Sequence, residues 1–323
     1  MKPESIQVVS SRFADRLEQR GVNRRDFLKF CGLMAATLAL PGNGIMRIAK
    51  ALAASPRPPV VWLEFQGCTG DTESFLRTSQ PTIDEFLLDR ISLDYHETLM
   101  TPAGYGAELS LSDVVQAHPG QYIAIVEGSI PMANGGVYCT IQGRTALSIL
   151  QEVAGSALAV IAAGSCAFDG GLAAAVPNPT GAVGVGGAMP GLRNLINLPG
   201  CPANAVNIAA VLVHFLTYGT LPATDGMHRP TFAYSREIHD HCERKPFNED
   251  GLFVRAWGDE GHRKGWCLER MGCRGPETHS NCYNVKWNDG TSWPIGAGHN
   301  CVGCTNPHFW DTMTPFYVGE SDD

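Results

Sequence analysis

Six of the 11 cysteines in this 323-residue chain lie between positions 242 and 304, in a stretch crowded with Gly, His, Trp and Asn. That segment has few aliphatic side chains with which to build a core, so something besides apolar burial must hold it together. Metal centres are the natural candidate, because binding a metal at a site the unfolded chain lacks contributes directly to folding. Dense cysteine also marks disulfide-stapled modules, but those are short and this chain is not. With 44% hydrophobic residues, the chain can bury a sizeable core in one or two domains. It carries 17% charged residues, a net charge of −8 and no basic stripe, which argues against nucleic acid as a partner.

Asn23-Arg24-Arg25-Asp26-Phe27-Leu28-Lys29 is a twin-arginine pattern. An apolar run over 30–40 follows, then Ala51-Leu52-Ala53, a small-residue cleavage site, so 1–54 reads as a leader. The run is shorter than the ~20 apolar residues that span a bilayer. The alternative reading is an amphipathic helix lying on the folded domain. The leader argues for export to a periplasmic or membrane-associated place, whereas the intact start at Met1 leaves a cytoplasmic one open. No second apolar run of spanning length occurs, and the chain ends at Glu320-Ser321-Asp322-Asp323, so no membrane span is expected.

Over 55–228 the pattern alternates. Short apolar runs at 60–65, 91–95, 122–126, 158–162 and 195–198 predict buried strands, and the segments between them predict helices, notably over 144–153 and 203–218. This alternation predicts an α/β, doubly wound parallel sheet. Region 229–323 lacks the alternation and predicts a loop-rich domain with one or two short helices.

Three cysteines follow three of the predicted strands. They are Cys68 in Gly67-Cys68-Thr69-Gly70-Asp71-Thr72-Glu73, Cys166 in Ala163-Gly164-Ser165-Cys166, and Cys201 in Leu198-Pro199-Gly200-Cys201-Pro202. In an open parallel sheet the carboxyl ends of the strands share one edge, so loops distant in sequence converge there and can hold one shared centre. Glycines beside the thiols allow sharp turns and close approach. A single cysteine after a strand is usually a small buried hydrophobe, but three in the same context are harder to dismiss.

The second domain presents His239-Asp240-His241-Cys242, then Cys267, Cys273 and Cys282, then Cys301-Val302-Gly303-Cys304. The two-residue gap of the last pair lets both thiolates bind one centre. His239, or alternatively His241, adds a nitrogen donor, and three residues separate His239 from Cys242. These donors exceed the roughly four that close a zinc site, so at least two centres are implied. Softness alone does not separate zinc from iron–sulfur.

Several further strings are distinctive: Arg57-Pro58-Pro59-Val60-Val61-Trp62, Val126-Glu127-Gly128-Ser129-Ile130-Pro131, Pro177-Asn178-Pro179-Thr180-Gly181-Ala182 and Trp287-Asn288-Asp289-Gly290-Thr291-Ser292-Trp293-Pro294. With the twin-arginine leader and Asn306-Pro307-His308-Phe309-Trp310, they resemble the small subunits of nickel–iron hydrogenases over nearly the whole chain. The resemblance implies a flavodoxin-like sheet domain followed by an iron–sulfur domain, acting as an electron wire for hydrogen oxidation. It implies a proximal [4Fe-4S] cluster on Cys68, Cys166 and Cys201, and a distal [4Fe-4S] cluster on His239, Cys242, Cys267 and Cys273. It also implies a medial [3Fe-4S] cluster on Cys282, Cys301 and Cys304, with Pro294 standing where a fourth thiolate would be. The nickel–iron centre is implied on a separate large subunit, the partner in an obligate heterodimer that a dimer of heterodimers would extend, and electrons leave to a redox acceptor.

One departure matters. Where the family's first string carries a second cysteine, this chain has Asp71. We expect its carboxylate to be the fourth proximal ligand, as in the actinobacterial-type, oxygen-insensitive group that the chain resembles here; loss of a ligand is the alternative. The two extra cysteines of the oxygen-tolerant membrane-bound group are absent, with Gly70 and Gly171 in their places. Glu73 is a candidate relay residue, or simply a first-turn glutamate facing the helix dipole. Cys31 and Cys139 are left over. Competing readings are an iron–sulfur subunit of another oxidoreductase, such as a respiratory NADH–quinone enzyme, and a zinc- or disulfide-stabilised binding protein.

Overall fold

The computed structural model describes residues 23–54, 57–77, 91–288 and 290–319; the first 22 residues of the expected leader, Asp289 and 320–323 lie outside them. Helices α1 (Arg24–Thr37) and α2 (Gly44–Ala54) come first. They are followed by β1 (Pro59–Glu64), α3 (Gly70–Leu76), β2 (Ser92–His96), α4 (Tyr105–Ala117), β3 (Ile123–Glu127), α5 (Ala146–Ser156), β4 (Ala159–Ala163), α6 (Gly164–Asp169), β5 (Leu195–Leu198) and α7 (Ala205–Tyr218). The five strands pair in parallel in the order β2-β1-β3-β4-β5, the flavodoxin-like order. Each strand lies within about a residue of the apolar run that predicted it.

Residues of β3 and β4 are buried throughout, as in a parallel sheet covered on both faces. Alternate side chains enter opposite cores. Val60, Trp62, Ile123, Ile125 and Ile161 face one cluster with α7, while Val61, Leu63, Ala124, Val126 and Val160 face the other with α4 and α5. The helices start a little later than expected because polar side chains cap them. Thr145 accepts from the Ser148 amide at 3.2 Å, and Asn204 from the Val206 amide at 2.9 Å.

Residues 24–54 are folded into the domain. Asn23 caps α1 by accepting from the Arg25 and Asp26 amides at 2.9 and 3.1 Å. Phe27, Phe30, Cys31 and Met34 of α1, with Ile48 and Leu52 of α2, are buried in the same core as Ile208, Val211 and Leu212 of α7. The Arg47 guanidinium lies 4.6 Å over the Tyr218 ring. Within the described residues, this part of the expected leader therefore takes the alternative form, as two amphipathic helices on the domain. The small-residue string at 51–53 sits inside α2.

Beyond position 230 the chain runs as loops and single turns, none longer than five residues, which is more turns than the sequence suggested. Its apolar centre is small: Ile238, Val254, Leu268, Met271, Trp293 and Ile295, with cysteines packed around it. It docks on the carboxyl edge of the sheet through paired amides: Asn207 Nδ2 donates to Asn281 Oδ1 at 3.0 Å, and Asn281 Nδ2 returns a bond at 2.8 Å. Among the described residues, no helix is long and apolar enough to cross a membrane.

Candidate metal centres

The sheet register builds the first site. Glu64 pairs with Glu127, Glu127 with Ala163, and Ala163 with Leu198, so the ends of β1, β3, β4 and β5 form one row. Cys68, Cys166 and Cys201 all lie within four residues beyond that row. Glycines let the ligand loops close. At Gly171 (φ +51°) a Cβ would lie 2.7 Å from Cys166 Sγ, and at Gly70 one would lie 3.1 Å from Cys68 Sγ. A side chain at Gly171, such as the family's extra cysteine, would be both strained and crowded here.

Asp71, in the first turn of α3, is buried. Its Oδ1 accepts from the Ala203 amide at 2.5 Å, and a Cβ on Gly164 (φ +83°) would fall 2.2 Å from its Oδ2. Burial, and then the nearby Glu127 charge, push the Asp71 carboxyl up to about 7. Burial pushes the Cys166 and Cys201 thiols up to about 12. Both thiols also feel Asp71 and Cys68, so the four expected donors share one electrostatic neighbourhood. Would-be anions gathered at one edge, the Asp71 carboxyl buried and the Cys68 and Cys201 thiols open to the surface, fit a site that a positive metal core completes.

Glu127 holds this site and was missed in the sequence. It is buried at the end of β3 and accepts from Trp62 Nε1 (3.1 Å), the Asp71 amide (2.9 Å), the Thr72 amide (3.1 Å) and Thr72 Oγ1 (2.6 Å). Its signal was present: an ionisable residue ending a wholly apolar strand, followed by Gly128. Glu73, the sequence candidate, instead has a 60% exposed side chain paired with Arg77 at 2.9 Å, as a surface helix residue would be.

Cys282, Cys301 and Cys304 line a second cavity, of about 520 Å³, together with Pro294 and the first site's Cys201. Burial pushes all three thiols up, Cys304 to about 12. His239, Cys242, Cys267 and Cys273 line a third, smaller cavity. His241 is stacked on Tyr283 with ring centroids 4.7 Å apart, which favours His239 as the nitrogen donor. Amides point at these sulfurs: Arg244 N at Cys242 Sγ (3.4 Å) and Asn248 Nδ2 at Cys267 Sγ (3.5 Å). One more such bond runs between sites: the Cys301 amide donates to Cys273 Sγ at 3.3 Å. Ser165 Oγ, beside Cys166 of the first site, donates to the Cys304 carbonyl at 2.6 Å.

All 11 cysteines are unpaired, contrary to the disulfide reading. Cys31 is buried in α1, and Cys139 stands apart from the three sites. Among the described residues, no three His, Cys, Asp or Glu side chains converge on a point that would suit a single metal ion. The donors stand back around volumes instead.

Behind the first site lies a half-buried acidic cluster. Thr98 Oγ1 donates to Glu64 Oε1 at 3.1 Å, Thr72 Oγ1 lies 3.0 Å from the same oxygen, the Glu64 amide donates to Glu97, and Tyr95 OH donates to Glu97 at 3.3 Å. Burial pushes His96 down to about 4, so the imidazole is neutral and its 3.8 Å approach to Glu64 is no ion pair. Burial, then the Glu64 charge, push Glu97 up to about 8. Between its ordinary value and about 8, folded Glu97 keeps a proton that the unfolded chain has released. Stability from this group is therefore full below the ordinary value and falls as pH rises, by at most about 1.4 kcal/mol per unit. We expect the melting temperature to drop between pH 5 and 8, and Glu97→Gln to flatten that slope; an equal slope in the variant would assign the effect elsewhere.

A parallel sheet presenting thiols at its carboxyl edge, joined to a loop-rich domain with two further sulfur-lined sites, defines an electron-transfer subunit of the iron–sulfur class. Residues 68–215 match the family model described as NADH ubiquinone oxidoreductase, 20 Kd subunit, and residues 234–317 match the C-terminal model of the NiFe/NiFeSe hydrogenase small subunit. The chain is 47% identical over 304 residues to the periplasmic [NiFe] hydrogenase small subunit 1 of Nitratidesulfovibrio vulgaris, covering 94% of this chain and 95% of the relative. It is 45% identical over 289 residues to the hydrogenase-2 small chain of Escherichia coli, covering 89% and 77%. Among solved structures, the reduced, active Ni-Fe-Se hydrogenase of Desulfomicrobium baculatum aligns with a TM-score of 0.76 at 32% identity, covering 82% of this chain and 100% of the other. The actinobacterial-type NiFe-hydrogenase of Ralstonia eutropha H16 aligns with a TM-score of 0.73 at 27% identity, covering 83% and 84%. The chain belongs to the small subunits of nickel–iron hydrogenases. It is the electron-transfer subunit of an oxidoreductase, and the match over its second domain separates it from the respiratory alternative.

Proposed function

We propose that the three sites hold a proximal [4Fe-4S] cluster on Cys68, Asp71, Cys166 and Cys201, a medial [3Fe-4S] cluster on Cys282, Cys301 and Cys304, and a distal [4Fe-4S] cluster on His239, Cys242, Cys267 and Cys273. The observation that carries this reading is the serial order of the donor groups: Cys201 of the first lines the cavity of Cys282, Cys301 and Cys304, and the Cys301 amide donates to Cys273 Sγ of the third. Donors spaced around cavities suit polynuclear cores better than single zinc ions.

Iron–sulfur clusters supply one-electron transfer when bound. Hydrogen would be oxidised to two protons and two electrons at the nickel–iron centre of a large-subunit partner, in the uptake direction, and this chain would carry the electrons to an acceptor one at a time. Met132, Val137, Tyr138, Leu172 and Val176 (82% exposed) lie on loops leaving the sheet's carboxyl edge, which supports a partner surface beside the first site. At the other end, His239 replaces an anionic thiolate with a neutral donor, which raises the potential at the outlet. The Arg244 and Asn248 donors to Cys242 and Cys267 act in the same direction. Asp71 brings a hard oxygen donor to the inlet, and we assign to it a part in tolerance of oxygen.

Iron and acid-labile sulfide analysis of the purified heterodimer, with electron paramagnetic resonance, tests the whole reading. The expected result is iron and sulfide in the proportions of two four-iron cores and one three-iron core. Zinc in their place, or colourless protein without labile sulfide, would defeat it.

A further inference from the structure

We propose that the Arg244 guanidinium is the built-in countercharge of the third site and strengthens its hold on the electron that leaves there. The inference deepens the cluster assignment above and rests on it. Arg244 is 8% exposed and lines the third cavity beside His239, Cys242, Cys267 and Cys273. It lies two residues beyond Cys242 and caps the short helix Lys245–Glu249. Its backbone is held on both sides. The amide donates to Cys242 Sγ at 3.4 Å, and the carbonyl accepts from the Phe247 amide at 3.1 Å.

The guanidinium has a hydrogen-bond acceptor but no acid to balance it. Its Nη1 donates to the Trp266 carbonyl, next to Cys267, at 2.8 Å. Among the described residues no carboxylate pairs with it. Lys245, on the same cavity, takes Asp240 at 2.9 Å; Glu269 accepts from Asn248 Nδ2, and Glu243 from Trp293 Nε1 at 3.3 Å. Arginine stays charged in proteins. A buried charge is costly unless something of opposite sign meets it. The donors around the cavity are the place to look for that charge.

They supply it when the cluster is bound. Three thiolates outweigh the doubly positive core of an oxidised four-iron cluster by one negative charge, and neutral His239 adds nothing to offset it. An added electron enlarges the excess. A fixed cation stabilises the larger negative charge more, so Arg244 raises the potential of the outlet. Arg244 acts on the total charge, whereas the amides at Cys242 and Cys267 act on single sulfurs. The residues lining the second cavity include no Lys or Arg, so this cation favours the outlet selectively. When one electron crosses, the second site is oxidised by one unit and the third reduced by one, and no bond or proton moves.

Arg244→Gln and Arg244→Lys in the heterodimer test this. Gln keeps a donor for the Trp266 carbonyl and loses the charge; Lys keeps the charge. In a redox titration followed by electron paramagnetic resonance, we expect the third site of Arg244→Gln to show a roughly tenfold lower reduced-to-oxidised ratio at a fixed potential, about 59 mV in midpoint for one electron. The first-site and second-site midpoints serve as internal references. Arg244→Lys should return most of the shift. An unchanged third-site midpoint in Arg244→Gln with all iron loaded would overturn the proposal. Equal shifts in both variants would also overturn it, by assigning the effect to side-chain shape. If Arg244→Gln loses third-site iron, Arg244→Lys decides: iron retained there supports a countercharge, and iron lost from both rejects it. Absence of the third-site signal from the unaltered heterodimer would instead refute the cluster assignment, which keeps the two failures apart.

Discussion

Asp71→Asn is expected to strip one iron from the first site while leaving the fold standing. Asn is nearly isosteric and keeps an acceptor oxygen for the Ala203 amide, which Asp71 Oδ1 now satisfies at 2.5 Å. The helix start is also held independently, since Glu127 takes the Asp71 and Thr72 amides. What Asn removes is the anionic oxygen, and a neutral amide is a poor ligand for iron. Asp71→Ala removes the acceptor as well. It leaves a buried amide unpaired, at a cost of about 1–3 kcal/mol, so its melting temperature should fall where that of Asp71→Asn does not. Iron per chain and the resonance spectrum report the outcome: one iron fewer, with a new three-iron signal, in both variants. A full iron complement in Asp71→Asn would show that Asp71 is a structural acceptor only. Asp71→Cys should retain the iron and become more readily inhibited by oxygen.

The parts of this molecule that were legible in advance are those with a period or a repeated context. The five strands announce themselves as short apolar runs because both faces of a parallel sheet are covered, so no polar alternation blurs them. The three strand–Gly–Cys contexts locate one site because the carboxyl ends of parallel strands share an edge. Glu127, Glu97 and Ser165 were not legible in that way. A buried acid or serine takes its meaning from partners distant in sequence: Asp71 lies 56 residues from Glu127, and Cys304 lies 139 from Ser165. Glu73 shows the converse, since its spacing from Asp71 is local while the face it presents depends on the first turn of α3, where Asp71 takes the buried side. The docking of α1 and α2 was half legible. Their amphipathic pattern was visible, but the same pattern serves a leader, and only the apolar outer face of α7 says what it packs on.

That docking carries the other large effect. Phe30 and Met34, four residues apart on α1, are both fully buried. Truncating a buried Phe to Ala costs about 3–5 kcal/mol, a large part of the 5–15 kcal/mol that holds a typical domain together. For a domain of this size, Phe30→Ala should lower the melting temperature by on the order of 10 °C. Phe30→Asp should prevent stable accumulation, because the carboxylate has no partner among Ile48, Leu52 and the side chains of α7. Leu33, 40% exposed on the same helix, is the control, and Leu33→Ala should change little. The comparison also bears on processing. A cut after Ala53 would take away α1 and nearly all of α2 and uncover the apolar face of α7 that they cover. If the functional subunit has lost this segment, Phe30→Ala will melt with the unaltered protein and the intact mass will show the missing residues. If it keeps the segment, the shift appears and the mass includes 24–54, which is the outcome the packing favours.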